Sequence, residues 1–114
     1  MGPHSKIKPR FVVDPNEPAV ELVSQTGGTV EIKWSEPTEP RGPIDGYQYG
    51  HSSKGSLGPP TWVLIGSRER SAIVENLQTE TTYIFRVEAF NRDSKGRRLY
   101  SPPGILEVFT INYA

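Results

Sequence analysis

The stretch "TTYIFRVEAFN", residues 81–91, constrains the fold more than any other part of this chain. Its apolar residues recur at every second position, with Tyr83, Phe85, Val87 and Ala89 in one phase. On a helix these side chains would be scattered around the cylinder, whereas on a strand they share one face. Their residue types also suit a pleated surface. The pattern predicts a β-strand about 36 Å long.

The rest of the chain is divided into short runs by eleven prolines and eleven glycines. Six further runs have the composition or alternation of strands, and no segment has a sustained helical period. The predicted strands cover residues 19–25, 29–35, 44–51, 61–66, 71–77, 81–91 and 105–110. Seven short strands separated by turn signals predict an all-β fold, a seven-stranded antiparallel β-sandwich.

The alternation also predicts which side chains fill the space between the sheets. In the second run, Val30, Ile32 and Trp34 share the inward phase. In the first run, Val20 and Leu22 share one side of the strand. The positions expected to form the structural core are Trp34, Tyr47, Leu77, Tyr83, Phe85 and Val87.

Trp62 is the aromatic residue whose role the pattern leaves open. It follows two prolines and shares its strand face with Leu64. It fits either packing within the domain or an exposed aromatic that binds a partner, and packing is the favoured interpretation.

The composition excludes several classes of function. Thirteen basic residues balance thirteen acidic ones, so no net field attracts nucleic acid. No apolar run is long enough to insert into a membrane. The chain has no cysteine, which excludes disulfide and thiolate chemistry. It also has no Asn-x-Ser/Thr acceptor, which weakly favours an intracellular or unglycosylated setting.

The titratable residues do not indicate a catalytic, metal or cofactor site. The two histidines are His4, near the start of the chain, and His51, expected on the surface at a strand end. No HExxH spacing or nucleophile elbow is present, and "KGSLGPP" lacks the spacing of a phosphate-binding loop. We therefore expect no enzyme, no cofactor and no bound metal.

The domain organisation is read from polarity and proline content. Residues 1–14 are interpreted as an expression leader or linker, residues 15–111 as one domain, and residues 112–114 as a C-terminal tail.

The order of these features resembles a fibronectin type III domain over about residues 15–110. Trp34 ends "VEIKW", and "IDGYQY" follows as the third strand. Leu77 precedes Tyr83 by six residues, the spacing of the family's tyrosine corner. "YIFRVEAFN" fits the sixth strand and "YSPP" the entry to the last. The resemblance implies an immunoglobulin-like sandwich in which the Tyr83 hydroxyl bonds to backbone beside Leu77.

The resemblance also implies a function, since such domains are non-catalytic repeats that act as spacers or protein-binding surfaces. The leading interpretation is one repeat of a larger multidomain cell-adhesion or receptor-type protein, extracellular or at the cell surface. The alternatives are a repeat of a cytoplasmic giant muscle or cytoskeletal protein and a spacer of a bacterial carbohydrate-active enzyme. The expected partners are neighbouring repeats or a protein ligand, and the isolated domain is expected to be monomeric.

The stretch "RDSKGRRLY" contains the one local concentration of charge. Arg92, Lys95, Arg97 and Arg98 lie within seven residues, against Asp93. This turn is the candidate partner-binding loop, because rigid hairpin tips often carry the contacts of such scaffolds. It would meet an acidic protein patch or a sulfated polysaccharide. The alternative is a turn that only keeps the domain soluble.

Overall fold

The computed structural model describes residues 15–111, which form two antiparallel sheets packed face to face. One sheet has the order β1-β2-β5, and the other has the order β4-β3-β6-β7, with β8 also paired to β6. The predicted all-β sandwich is confirmed. The predicted leader, 1–14, and tail, 112–114, lie outside the described residues. The strands are β1 Val20–Thr26, β2 Thr29–Trp34, β3 Gly46–Ser53, β4 Thr61–Gly66, β5 Ser71–Val74, β6 Thr82–Arg92, β7 Arg98–Tyr100 and β8 Gly104–Phe109.

The sequence predicted seven strands and the described residues form eight. The additional strand is β7, which pairs with the end of β6 through Phe90 and Tyr100. Only residues 93–97 remain as the turn between these strands, although 92–98 was predicted as one turn. A strand of three residues that begins with an arginine has too little alternation to be recognised in the sequence. It forms because it pairs with the end of β6.

The core lies between the sheets and is centred on β6. Tyr83, Phe85, Val87 and Ala89 all face inward and are buried. From the opposite sheet, Val30, Ile32 and Trp34 pack against them within one cluster of buried residues. The cluster also contains the buried residues Tyr47, Val74, Leu77 and Val108.

Trp34, at the end of β2, packs against two aromatic residues of β3 in the opposite sheet. Its ring centroid is 5.8 Å from that of Tyr47 and 6.2 Å from that of Tyr49. Both pairs are tilted, which is an arrangement that aromatic rings prefer. The guanidinium of Arg70 lies 5.2 Å from the centre of the Tyr47 ring. Burial raises the pKa of Tyr47 above its ordinary value, and the positive charge of Arg70 opposes that shift.

Two side chains depart from the burial that their phase predicts. Leu22 remains 42% exposed because β1 is an edge strand whose register shifts between Leu22 and Ser24. Phe90 has the outward phase of β6 but is only 4% exposed. A β-carbon on Gly46 would lie 2.7 Å from Cζ of Phe90, so the ring lies directly over this glycine.

Tyr83 fixes the turn that precedes β6. Its hydroxyl accepts a hydrogen bond of 2.9 Å from the backbone N–H of Gln78. The neighbouring Leu77 is buried, and its N–H donates to the carbonyl of Gly28. The tyrosine thereby fills the core with its ring and satisfies a backbone donor with its hydroxyl.

The mutation Tyr83→Phe should lower the free energy of unfolding by about 1–3 kcal/mol, because it leaves the N–H of Gln78 without this acceptor. Urea unfolding followed by fluorescence measures the change. The control is Tyr100→Phe, since within residues 15–111 the Tyr100 hydroxyl accepts only an exposed 3.3 Å bond from Arg98. That control should stay within about 0.5 kcal/mol of the wild type. Equal effects at both positions would contradict the assigned role of Tyr83.

The mutation Gly104→Ala should be among the most destabilising glycine substitutions in the domain. A β-carbon at position 104 would overlap the carbonyl oxygen of Pro18 and lie 2.9 Å from a methyl of Val20. We expect a loss of about 2 kcal/mol or more, because backbone has to move. Gly58→Ala is the control, since its β-carbon meets nothing within 4 Å. Thermal unfolding of the two variants gives the comparison, and a harmless Gly104→Ala would show that β1 and β8 are not in close contact.

Candidate interaction surface

The turn between β6 and β7 is held by Asp93. The carbonyl of Asp93 accepts from the N–H of Gly96, and its own N–H donates to the carbonyl of Arg97. Gly96 has a φ of 83°, the left-handed conformation that closes a type I turn with a bulge. One carboxylate oxygen of Asp93 accepts from the N–H groups of Lys95 and Arg97, each at 2.9 Å. The turn is therefore a preformed element.

The other carboxylate oxygen of Asp93 pairs with the Arg97 side chain. The distance from Nε of Arg97 to Oδ2 of Asp93 is 2.8 Å. The pKa of Asp93 lies below its ordinary value, chiefly because the N–H of Arg97 donates to the carboxylate. The Arg97 side chain and the N–H of Lys95 lower it further. Asp93 therefore offsets part of the positive charge that the sequence places here.

Two of the four candidate basic residues lie over one aromatic ring. The guanidinium carbon of Arg98 is 5.1 Å from the centre of the Phe90 ring, and that of Arg92 is 5.8 Å away. Tyr100 completes this group, with its ring centroid 5.3 Å from that of Phe90. We call Phe90, Tyr100, Arg92 and Arg98 the Phe90 cluster. Because Phe90 is buried beneath them, the arginines are held by a rigid apolar base.

The structure divides the predicted loop into three parts. Arg92 and Arg98 belong to the Phe90 cluster, Arg97 pairs with Asp93, and Lys95 lies exposed at the tip of the turn. The carboxylate of Asp45 adds a weak contact, with its Oδ2 at 3.9 Å from Nε of Arg92.

Sequence reasoning missed Phe90, Tyr100 and Asp45 as parts of this surface. The available signal was the pair of glycines opposite Phe90. Gly46 of β3 lies opposite Phe90 of β6, and Gly66 of β4 lies opposite Gly46. An aromatic side chain in the outward phase can lie flat over a glycine and become buried, which a larger side chain at position 46 would prevent.

A shallow depression of about 530 Å³ adjoins the turn. It is bordered by Arg41, Pro43 and Asp45 from the β2–β3 connection and by Arg92 and Asp93 from the hairpin. The side-chain amide of Asn91 donates to the carbonyls of Pro40 and Arg41, each at 3.1 Å. The two connections therefore form one continuous surface at this end of the sandwich.

The other candidate residues have structural surroundings. His51 lies within β3 rather than at a strand end, and its ring is 6.0 Å from that of Tyr83 and 5.9 Å from that of Phe85. Burial lowers the pKa of His51 below its ordinary value. His51 is therefore half-buried in the middle of β3, and not at the strand end that was expected. Trp62 is half-buried, and its ring packs beside Gly50 on the outer face of the sheet.

Within residues 15–111, no three side chains of the types His, Cys, Asp and Glu come together in a group that could hold a metal ion. Among these same residues, no helix has the length and apolarity needed to cross a bilayer.

The sandwich, the tyrosine corner and the sequence all agree with one family. The sequence matches the model of the fibronectin type III domain over residues 15–105. The chain belongs to the fibronectin type III family. The match covers β1 to β7 and the start of β8, and the predicted resemblance is confirmed.

Curated relatives of this domain include receptor and adhesion-type proteins. It is 33% identical to ephrin type-A receptor 7 of Gallus gallus over 86 residues, which is 75% of this chain and 8% of the receptor. It is 37% identical to protein sidekick-1 of Gallus gallus over 83 residues, or 72% of this chain and 4% of that protein. The chain thus spans less than a tenth of the length of these relatives.

Solved structures have the same architecture. The FN1–FN3 domains of chicken CNTN1 match with a TM-score of 0.69 and 26% identity, over 85% of this chain and 31% of that one. A redesigned β-sandwich protein also matches with a TM-score of 0.69 and 26% identity, over 85% and 91% of the two chains.

The amide groups of the turn should respond to the protonation of Asp93. Because the folded pKa is lowered, the stabilisation is present above 3.8, the ordinary pKa of the group. It is lost as the pH falls through the lower folded pKa. In an NMR titration, the amide proton shifts of Lys95 and Arg97 should change with a midpoint below 3.8, and Asp93→Asn should abolish the change. A midpoint at or above 3.8 would contradict the hydrogen bonds to Asp93.

Proposed function

We propose that this fibronectin type III domain is a non-catalytic protein-interaction module of a larger cell-adhesion or receptor-type protein, acting at the cell surface. Family membership and the similarity to an ephrin receptor and to sidekick-1 support this proposal. Fibronectin type III domains of such proteins are generally non-catalytic.

The path of the chain through the domain suits one link in a linear array. Gly104, at the start of β8, lies against Pro18, where the chain approaches β1. At the other end, the side chain of Gln25 donates to the carbonyl of Phe109 and accepts from the N–H of Ile111. β1 and β8 therefore run side by side in the same direction, and the chain enters and leaves at opposite ends, about 20 Å apart.

The Phe90 cluster and the adjoining turn form the proposed partner-binding surface. The single observation that carries this is the pair of arginines held over a buried ring, since ordered side chains lose little entropy on binding. Arginine and tyrosine are also enriched among the residues that dominate protein interfaces. The guanidinium groups can each bind a carboxylate through two parallel hydrogen bonds.

The charges favour an acidic protein patch over a sulfated polysaccharide. Asp93 pairs with Arg97, and Asp45 lies near Arg92, so two carboxylates offset half of the four cations. A polymer of uniform negative charge gains little from such a mixed surface. A protein partner can place its carboxylates against the outward arginines and avoid Asp45 and Asp93.

The double mutation Arg92→Ser with Arg98→Ser should weaken binding without unfolding the domain. Both residues are exposed, and exposed pairs contribute at most about 1 kcal/mol, so the melting temperature should fall by only a few degrees. The measurement is the binding of the fluorescent, tetramerised domain to cultured cells, in which we expect at least a tenfold loss of affinity. The control is Lys33→Ser with Arg68→Ser, which removes the same charge from exposed positions elsewhere.

Treatment of the cells with heparinase separates the two kinds of partner. Binding that survives the enzyme but is lost in the double mutant would support a protein partner. Binding abolished by heparinase would identify a sulfated polysaccharide instead. Equal binding by the double mutant and the wild type would show that the Phe90 cluster does not bind the partner.

A further inference from the structure

We infer that the free edge of β4 is a second interaction surface, and that it pairs with β4 of a second copy of this chain. Within residues 15–111, β4 is the last strand of its sheet and is hydrogen-bonded only to β3. Its outer edge therefore presents a row of backbone N–H and C=O groups that another extended strand could bind. At the other edge of this sheet, the side chain of Gln25 in β1 forms hydrogen bonds with the end of β8, so that edge is partly covered.

β4 has none of the features that usually protect an edge strand. The sequence "TWVLIG" contains no charged residue and no proline. Its register with β3 is continuous from Thr61 to Gly66, so no bulge turns the edge away. Val63 is 40% exposed and Leu64 is 50% exposed. Proteins commonly protect such edges with lysine, proline, bulges or short strands. Among the described edge strands, β5 also lacks charge, proline and a bulge but has only four residues, so β4 is the longer unprotected edge.

The strand is complementary to itself when it is paired about a two-fold axis through Val63. An axis perpendicular to the sheet keeps the outer face of both copies on the same side. Val63 then lies opposite Val63 of the other copy, and Trp62 lies opposite Leu64. These two kinds of pair join apolar side chains across the same face of the sheet, and Thr61 lies opposite Ile65 on the inward face. Apolar cross-strand pairs stabilise an antiparallel ladder.

The charges support a second copy as the occupant. The formal net charge of the chain is zero, so two copies do not repel each other at long range. β4 has no charge that would select a basic or an acidic peptide. An uncharged, apolar strand is the partner that this edge fits, and β4 itself is such a strand.

The inner side of β4 has room for the paired valines. A groove of about 210 Å³ lies between β4 and β5, bordered by Tyr49, His51, Val63 and Ile73. β5 therefore does not cover the inward face of β4 at Val63. In the pair, the two Val63 side chains would extend the apolar wall of this groove.

The association should be weak. Two six-residue edges bury less than the roughly 1,200 Å² of a standard interface. We expect a dissociation constant of about 0.1–1 mM, which becomes relevant when copies are concentrated side by side. The chain would be monomeric in dilute solution, as the sequence analysis expected, and dimeric when concentrated.

Sedimentation velocity of the 114-residue chain up to about 1 mM tests the inference. The wild type should shift towards the dimer, and Leu64→Lys should remain monomeric because a lysine on an edge strand opposes pairing with a second strand. Ile105→Lys is the matched control, since Ile105 is 59% exposed on the same outer face but belongs to β8. It should dimerise like the wild type. A wild type that stays monomeric, or a Leu64→Lys variant that still dimerises, would overturn the proposal.

A disulfide trap tests the register independently. The chain has no cysteine, so a single Val63→Cys variant should form a covalent dimer under mild oxidation, because the two-fold axis brings the two sulfurs together. Ile105→Cys, exposed on β8 at the other side of the same sheet, should cross-link at least tenfold more slowly. Equal rates for the two variants would show random collision and refute the pairing of β4.

Discussion

The packing of the inward face of β6 against β2 is the contact on which the rest of the domain depends. Phe85 and Val87 are fully buried against Ile32 and Trp34 of the other sheet. β6 also pairs with β3 on one side and with β7 and β8 on the other. One strand thus both joins three neighbours and supplies the centre of the core. The positions of the Phe90 cluster and of β4 in the sheet are set by the pairing of β6 with its neighbours.

The proposed partner-binding surface is supported by a residue of the central strand β6. The apolar residues on the inward phase of β6 end at Ala89, and the next residue, Phe90, lies on the outer face over Gly46. Because Gly46 has no side chain, the ring is buried outside the sandwich and can support Arg92 and Arg98. A larger residue at position 46 would displace Phe90, and the arginines would lose their base while the core remained.

The sequence was sufficient for the features that depend on strand periodicity. Alternation in residues 81–91 and 29–35 identifies the inward residues, and the structure buries Trp34, Phe85 and Val87. The sequence was not sufficient for features that depend on which strands pair and in which register. β7 exists because Tyr100 meets Phe90, and Leu22 is exposed because β1 lies at an edge with a shifted register. The position of Asp45 beside Arg92 also depends on contacts between residues far apart in the sequence.

Edges and turns are where this fold can differ without loss of stability, and both proposed surfaces lie there. The Phe90 cluster uses charge and ordered side chains, so its binding should weaken as salt rises. The β4 edge uses backbone hydrogen bonds and apolar pairs, so its pairing should depend little on salt. The two surfaces belong to the same sheet, on β6 and β7 and on β4, with β3 between them. A module paired through β4 would therefore present two Phe90 clusters on one continuous sheet, and a partner with two acidic sites would bind the pair more tightly than a single copy.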